Sequence, residues 1–276
     1  MPYRHFFYDF SYNSLGELMK FKKGDLVTRE SHNHDTVFKI LNIIDEVCYL
    51  KGINVRLYAD SPLNDLKPFE EKNSLDDFDK VIEDLEQLDR NEYFFMPAKI
   101  LHFDGDSDYL QRCMNFYKRL NIKAVGKVIK EELLPQKIYK YLTEYNPDIV
   151  IITGHDAYYR RKGDLNNVNN YKNSKHFCES IKQARKYEKC HDKLIIIAGA
   201  CQSDYEELIK SGANYASSPK RVNIHALDPA IIATTVALTE KNTPVDLIGT
   251  LSKTKYGSDG MGGIKGNGLM YVGYPR

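Results

Sequence analysis

The sequence predicts an α/β protein: a mostly parallel sheet in a three-layer arrangement, preceded by a small β-rich module. Three observations carry this reading. From Pro97 onward, strand-like and helix-like patterns alternate down the chain. Two of the strand segments, DIVIIT (148–153) and KLIIIA (193–198), are almost continuously apolar, as expected of strands covered on both faces. Residues 21–68 instead hold short β-rich runs separated by turn residues.

In order, the first module is expected to contain strands at Gly24–Thr28, Val37–Ile44, Cys48–Lys51 and Asn54–Ala59. Its opening, KKGDLV, resembles the first strand of SH3-like β-barrels, so residues 1–68 are assigned to a barrel of that kind. Residues 69–96 are acidic and helix-periodic, and read as a linker helix with a solvated face. The α/β domain then occupies 97–276. Its strands are expected at Ala98–Phe103, Lys123–Ile129, Asp148–Thr153, Lys193–Ala198 and Asn214–Ser217, with a last one at Val245–Gly249. Its helices are expected at Ser107–Leu120, Glu131–Tyr145, Asn170–Lys189, Asp204–Ser211 and Asp228–Glu240, where Pro229 suits a first helical position. Six glycines in Gly257–Gly268 argue against a regular element there. That tail is expected to be a loop, or backbone shaped around something.

Composition narrows the function classes. With 39 basic and 38 acidic residues in 276, the net charge is only +1, which argues against a nucleic-acid partner. The five cysteines include no CxxC pair, so neither a disulfide framework nor a zinc site is expected, and a reducing compartment fits. The opening MPYRHFFYDF lacks the apolar stretch of a signal peptide, and no run is long enough to span a membrane. No cofactor or metal is expected. The acidic loop Asp104–Asp108 lacks the downstream Glu of an EF-hand, and reads as a turn with a helix cap.

The chemistry gathers at two strand ends. DIVIIT runs into Gly154-His155, and KLIIIA runs into Gly199-Ala200-Cys201. Ligands of parallel sheets bind outside the carboxyl ends of the strands, so both side chains are expected at one edge. A lone Cys beside a strand is ordinarily core, and a lone His after one is ordinarily a surface or cap residue. Delivered together by adjacent strands about 5 Å apart, they form a nucleophile–base pair. Cys201 also precedes a predicted helix, whose N-terminus would lower its thiol pKa and offer N–H groups to an oxyanion. Cys48, Cys113, Cys178 and Cys190 lie in predicted elements and read as structural.

An apolar strand ending in His, followed by one ending in Ala-Cys, resembles the caspase–legumain–gingipain superfamily of cysteine proteases. The 46-residue separation of His155 and Cys201 fits its roughly 50-residue spacing. Two positions depart from that pattern: Gly154-His155-Asp156 replaces His-Gly, and Gly199-Ala200-Cys201 replaces Gln-Ala-Cys. The backbone of Gly154 and Asp156, with the Cys201 N–H, is therefore assigned to the oxyanion hole. A longer resemblance runs through FKKGDLV, PDIVIITGHDAYY, IIIAGACQSDYEELI, GANYASSPKRVNIHALDP and YGSDGMGGIKGNGLMYVGYPR. These segments resemble the YabG family of sporulation proteases. The resemblance implies a mother-cell cysteine protease of the cytoplasm and forming spore coat, acting on spore coat and cortex-related proteins after Arg. It places the family's Cys and His on Cys201 and His155.

Basic specificity requires an acidic pocket, for which Asp156, Asp204 and Asp228 are candidates. Asp204 and Asp228 also fit helix-capping roles. Ser217 and Ser218 follow a strand on the same edge and could line a substrate groove, or simply form an ordinary loop. Arg160-Arg161-Lys162 would suit self-cleavage. Two other readings stay open. Asp104, DIVIIT and GANYASSPK also resemble a phospho-receiver, although the middle strand ends in His155 rather than the phospho-accepting Asp. A non-enzymatic spore scaffold would use the N-terminal barrel for binding.

Overall fold

The computed structural model describes residues 21–69, 81–83, 94–159, 161 and 163–273. The opening decapeptide, most of the expected linker 69–96 and two residues of the basic triplet 160–162 lie outside them. Within the linker, residues 81–83 are helical and Ile82 is buried.

The first module is a five-stranded antiparallel sheet. Its strands are β1 (Leu26–Arg29), β2 (Phe38–Ile44), β3 (Val47–Gly52), β4 (Tyr58–Pro62) and β5 (Leu66–Pro68), in the order β4-β3-β2-β1-β5. Alternation sends Val27, Phe38, Ile40, Cys48, Leu50 and Leu66 into one small core. Asp45 and Glu46 both take positive φ between Ile44 and Val47, the two-residue turn whose twist matches a hairpin. Two expectations change here. β5 is an additional strand. The fourth strand starts at Tyr58, because residues 54–56 leave this sheet and pair elsewhere.

The second sheet has six strands: β7 (Ile100–Asp104), β8 (Ala124–Val128), β9 (Ile149–Thr153), β10 (Ile195–Ala198), β11 (Tyr215–Ser217) and β12 (Met261–Gly263). Their order is β12-β11-β10-β9-β7-β8; all pairs are parallel except the antiparallel β11–β12 edge. Period-two alternation divides the strands between two cores. Ile100, Ile149, Ile151, Ile195 and Ile197 pack with α1 (Ser107–Arg119) and α5 (Asp228–Leu238). Leu101, Phe103, Val150, Ile152 and Ile196 pack with α2 (Leu134–Tyr145), α3 (Ser174–Tyr187) and Leu208 of the short α4 (Tyr205–Lys210). The apolar runs were continuous because both faces of these strands are buried.

The C-terminal part corrects two expectations. Val245–Gly249 is not a strand: Asp246 accepts the Gly249 N–H and caps α6 (Leu247–Ser252). Five apolar-rich residues fit either structure, and the cap decides. The Gly-rich tail is also regular in part. It forms α7 (Gly257–Gly260) and the edge strand β12. Glycine is needed at Gly262 and Gly263 because the Tyr205 and Tyr215 rings lie where a Cβ would be. β13 (Tyr271–Gly273) pairs antiparallel with β6 (Phe94–Met96) in a separate ribbon.

Candidate active site

β9 and β10 are neighbours in parallel register, with Ala198 beside Ile152. Their carboxyl ends therefore release Gly154-His155 and Ala200-Cys201 at one rim. Thr153 Oγ1 donates to Gly199 O (2.9 Å) and ties the two ends together. Gly199 has φ +102°, and Ser217 Oγ and Leu208 occupy the space of its absent Cβ. The turn that carries Cys201 is clamped from both sides. Ser203 Oγ accepts the Ala200 N–H, and Ser217 Oγ donates to Ala200 O.

His155 is held at both its backbone and its ring. Its N–H donates to Glu131 Oε1 (2.7 Å), and that carboxylate fills the Cβ positions of Gly105 and Gly154. Its Nε2 lies 3.1 Å from Asp106 Oδ2. The ring packs on Tyr58 and Tyr109 at centroid distances of 4.4 and 5.5 Å. Nδ1 is buried and has no hydrogen-bond partner in the structure. Asp106 also caps α1 and accepts from Lys51 and Tyr58. Burial works to raise the Asp106 pKa, but the hydrogen bonds from His155 and Lys51 outweigh it and hold the carboxyl well below its usual range. An imidazole with one nitrogen on a carboxylate and the other free is set up to take a proton.

Cys201 is only 1% exposed. Its sulfur contacts the Ile224 backbone, accepting the N–H at 3.3 Å and facing the carbonyl at 3.8 Å. Imidazole and thiol are therefore not hydrogen-bonded to each other. Burial pushes the thiol up to about 12, against the Ile224 N–H and the Arg56 charge, which favour the thiolate. The activation expected from a following helix is thus absent in this state. α4 begins only at Tyr205, and desolvation dominates.

The other expected residues serve the framework of the rim. Asp156 is buried and accepts from Ser174 Oγ, Ser203 Oγ and the N–H groups of Asn173 and Ala157. It thereby joins the His155 loop to the Cys201 turn. Asp204 caps α4 through Oδ1, which lies 3.5 Å from Arg221, while its buried Oδ2 has no partner. Asp228 accepts the His225 and Lys255 N–H groups, and burial raises it to about 6. Ser217 and Ser218 bond to the carbonyls of Ala200 and Val222.

The comparisons extend over the whole of this arrangement. The sequence model of the YabG peptidase U57 family matches residues 22–89 and 70–275. The chain is also 38% identical over 286 residues, 93% of its own length and 99% of the relative's, to the sporulation-specific protease YabG of Bacillus subtilis (strain 168). The chain belongs to the YabG peptidase family. It is a peptide hydrolase, of the sporulation-protease type that this relative represents. In this peptidase the match takes in the antiparallel sheet as well as the α/β domain.

Sequence reasoning missed several residues at the rim: Asp104, Asp106 and Glu131, with Tyr58 and Tyr109. The first three follow or end β7 and β8, so the rule that found His155 and Cys201 applies equally to them. Asp104 and Asp106 were read as a turn and a cap, and Asp104 also as a receiver-like residue, not as partners of His155. The two tyrosines had no local signal, since each is defined by what it touches across the fold. Among the described residues no group of three His, Cys, Asp or Glu is placed to hold a metal.

Proposed function

We propose that this peptidase is a cysteine endopeptidase, with Cys201 as nucleophile, His155 as its base and Asp106 as the residue that orients the imidazole. The observation that carries this is the placement of Gly154-His155 and Ala200-Cys201 on neighbouring parallel strand ends, with His155 Nδ1 left open. The thiol proton passes to Nδ1, and the thiolate attacks the scissile carbonyl carbon. Backbone N–H groups of Gly154, Asp156 and Cys201 receive the oxyanion. The C–N bond then breaks, the imidazolium protonates the departing amine, and water hydrolyses the thioester. The α/β domain at 97–276 is read as caspase-like and residues 1–68 as an SH3-like barrel, joined by a linker at 69–96. A cavity of about 400 Å³ is lined by Tyr158, Tyr159, Arg161 and Gln202, the last of which directly follows Cys201 in the chain, and it supports a place for substrate. By analogy with the Bacillus relative, the setting is sporulation. The substrates are then spore coat and cortex-related proteins, cut after Arg, in the mother cell and forming coat.

The test uses an arginine-containing peptide from a spore protein. Cys201→Ala and His155→Ala, each shown to be folded, should lower cleavage at least ~10³-fold. An arginyl peptide with a thiol-reactive end should modify Cys201, read by mass mapping. Full activity in folded Cys201→Ala would end the assignment.

A further inference from the structure

Between β3 and β4 the chain leaves its own sheet and lies across the rim. Val55 bridges antiparallel to His225. The Arg56 N–H donates to Ile224 O (3.3 Å), and the Ala226 N–H donates to Asn54 O (3.0 Å). Ile224 is the residue whose backbone touches the Cys201 sulfur. An extended segment of the N-terminal module therefore pairs with the stretch whose backbone touches the thiol. The Arg56 side chain is fully buried; it donates to Asp104 Oδ2 (2.7 Å) and Ala226 O (2.9 Å). Asp104 ends β7, next to the strand that delivers His155. The neighbours of Arg56 engage the same rim. Tyr109 donates to the carbonyls of Gly52 and Val55, and Lys51 binds Asp106.

A contact that only fastens two modules needs no charge. Apolar residues of similar volume in place of a buried ion pair are often as stable or more so. Here a buried arginine accompanies main-chain pairing in antiparallel extended form, next to a nucleophile. That is how a peptide binds by strand addition, with backbone hydrogen bonds for affinity and a pocket for an alternate side chain. We infer that residues 54–56 are an autoinhibitory strand, which occupies the Ile224–Ala226 edge and seats Arg56 on Asp104 in place of a substrate arginine. The inference rests on Cys201 being the nucleophile proposed above. The folded chain is latent, and substrate gains the site only when this strand is displaced.

Alkylation of the full chain by iodoacetamide, mapped by mass spectrometry, tests this. Cys178 is buried on the opposite face of the sheet and is 6% exposed against 1% for Cys201. Static exposure ranks Cys178 first; a displaceable strand ranks Cys201 first. In the wild-type chain Cys201 should therefore label faster than Cys178. Arg56→Ala should accelerate Cys201 at least ~tenfold further, since loss of one partner of a buried charge pair acts mainly on dissociation. Cys201 labelling in the wild type no faster than Cys178 overturns the inference, whether or not the variant folds. So does an unchanged Cys201 rate in folded Arg56→Ala. Labelling reads access to sulfur, not cleavage. An accessible Cys201 in a chain whose cleavage survives Cys201→Ala sinks the nucleophile assignment alone. A Cys201-dependent protease whose thiol opens only with global unfolding sinks the autoinhibitory strand alone.

Discussion

At Asp106 one carboxylate holds His155 Nε2, Lys51 and the first turn of α1. Its hydrogen bond leaves Nδ1 as the proton acceptor. Asp106→Asn should keep the fold and lower kcat ~10²–10⁴-fold with little change in KM. Cys201 makes a second prediction. The unfolded thiol ionises near pH ~8.5, whereas the folded one is pushed up to about 12. The unfolded chain loses its proton first, so this contribution to stability is complete below the lower value and is lost as pH rises toward the upper one. In thermal melts at alkaline pH, Cys201→Ala should lose Tm less steeply than wild type.

The edge strand β12 shows an element made by glycine rather than by apolar residues. A Cβ on Gly263 would stand 2.4 Å from Tyr215 Cδ1 and 2.7 Å from Asn214 O. Gly263→Ala should destabilise the chain by ~1–3 kcal/mol in urea. Gly266→Ala, where nothing lies within 4 Å, should change it by less than ~0.5 kcal/mol. Equal effects at both positions would contradict the packing read at β12. The same element explains why the tail defied its pattern. Glycine signals conformational freedom, and only the Tyr205 and Tyr215 rings reveal that the glycines of β12 are there for space. β9 and β10 were the opposite case, since a continuous apolar run needs no partner to be recognised. The α6 segment lay between these cases, too short for period alone to distinguish a strand from a capped turn of helix.

At the scale of the molecule, the Arg56–Asp104 pair joins the antiparallel sheet to the α/β sheet with both side chains fully buried. Asp104→Ala strands a buried guanidinium and should cost ~3–5 kcal/mol in urea unfolding. Lys67→Ala, which breaks an exposed pair with Glu30, should cost less than ~1 kcal/mol. Similar losses in the two variants would mean that the guanidinium is solvated after all.

Local pattern alone decided the succession of strands and helices between Ile100 and Leu238, and with it the two strand ends that carry His155 and Cys201. Periodicity is a property of neighbouring residues, and an element satisfies it within its own length. Tertiary structure decided which groups meet those side chains: Asp106 and Glu131 at the imidazole, and Ile224 at the sulfur, itself paired with the Arg56 strand. It also turned residues 54–56 from part of an expected strand of their own sheet into a stretch bridged to His225. A buried polar group takes its partner from whichever distant segment the fold brings within hydrogen-bond reach, and no local spacing encodes that choice.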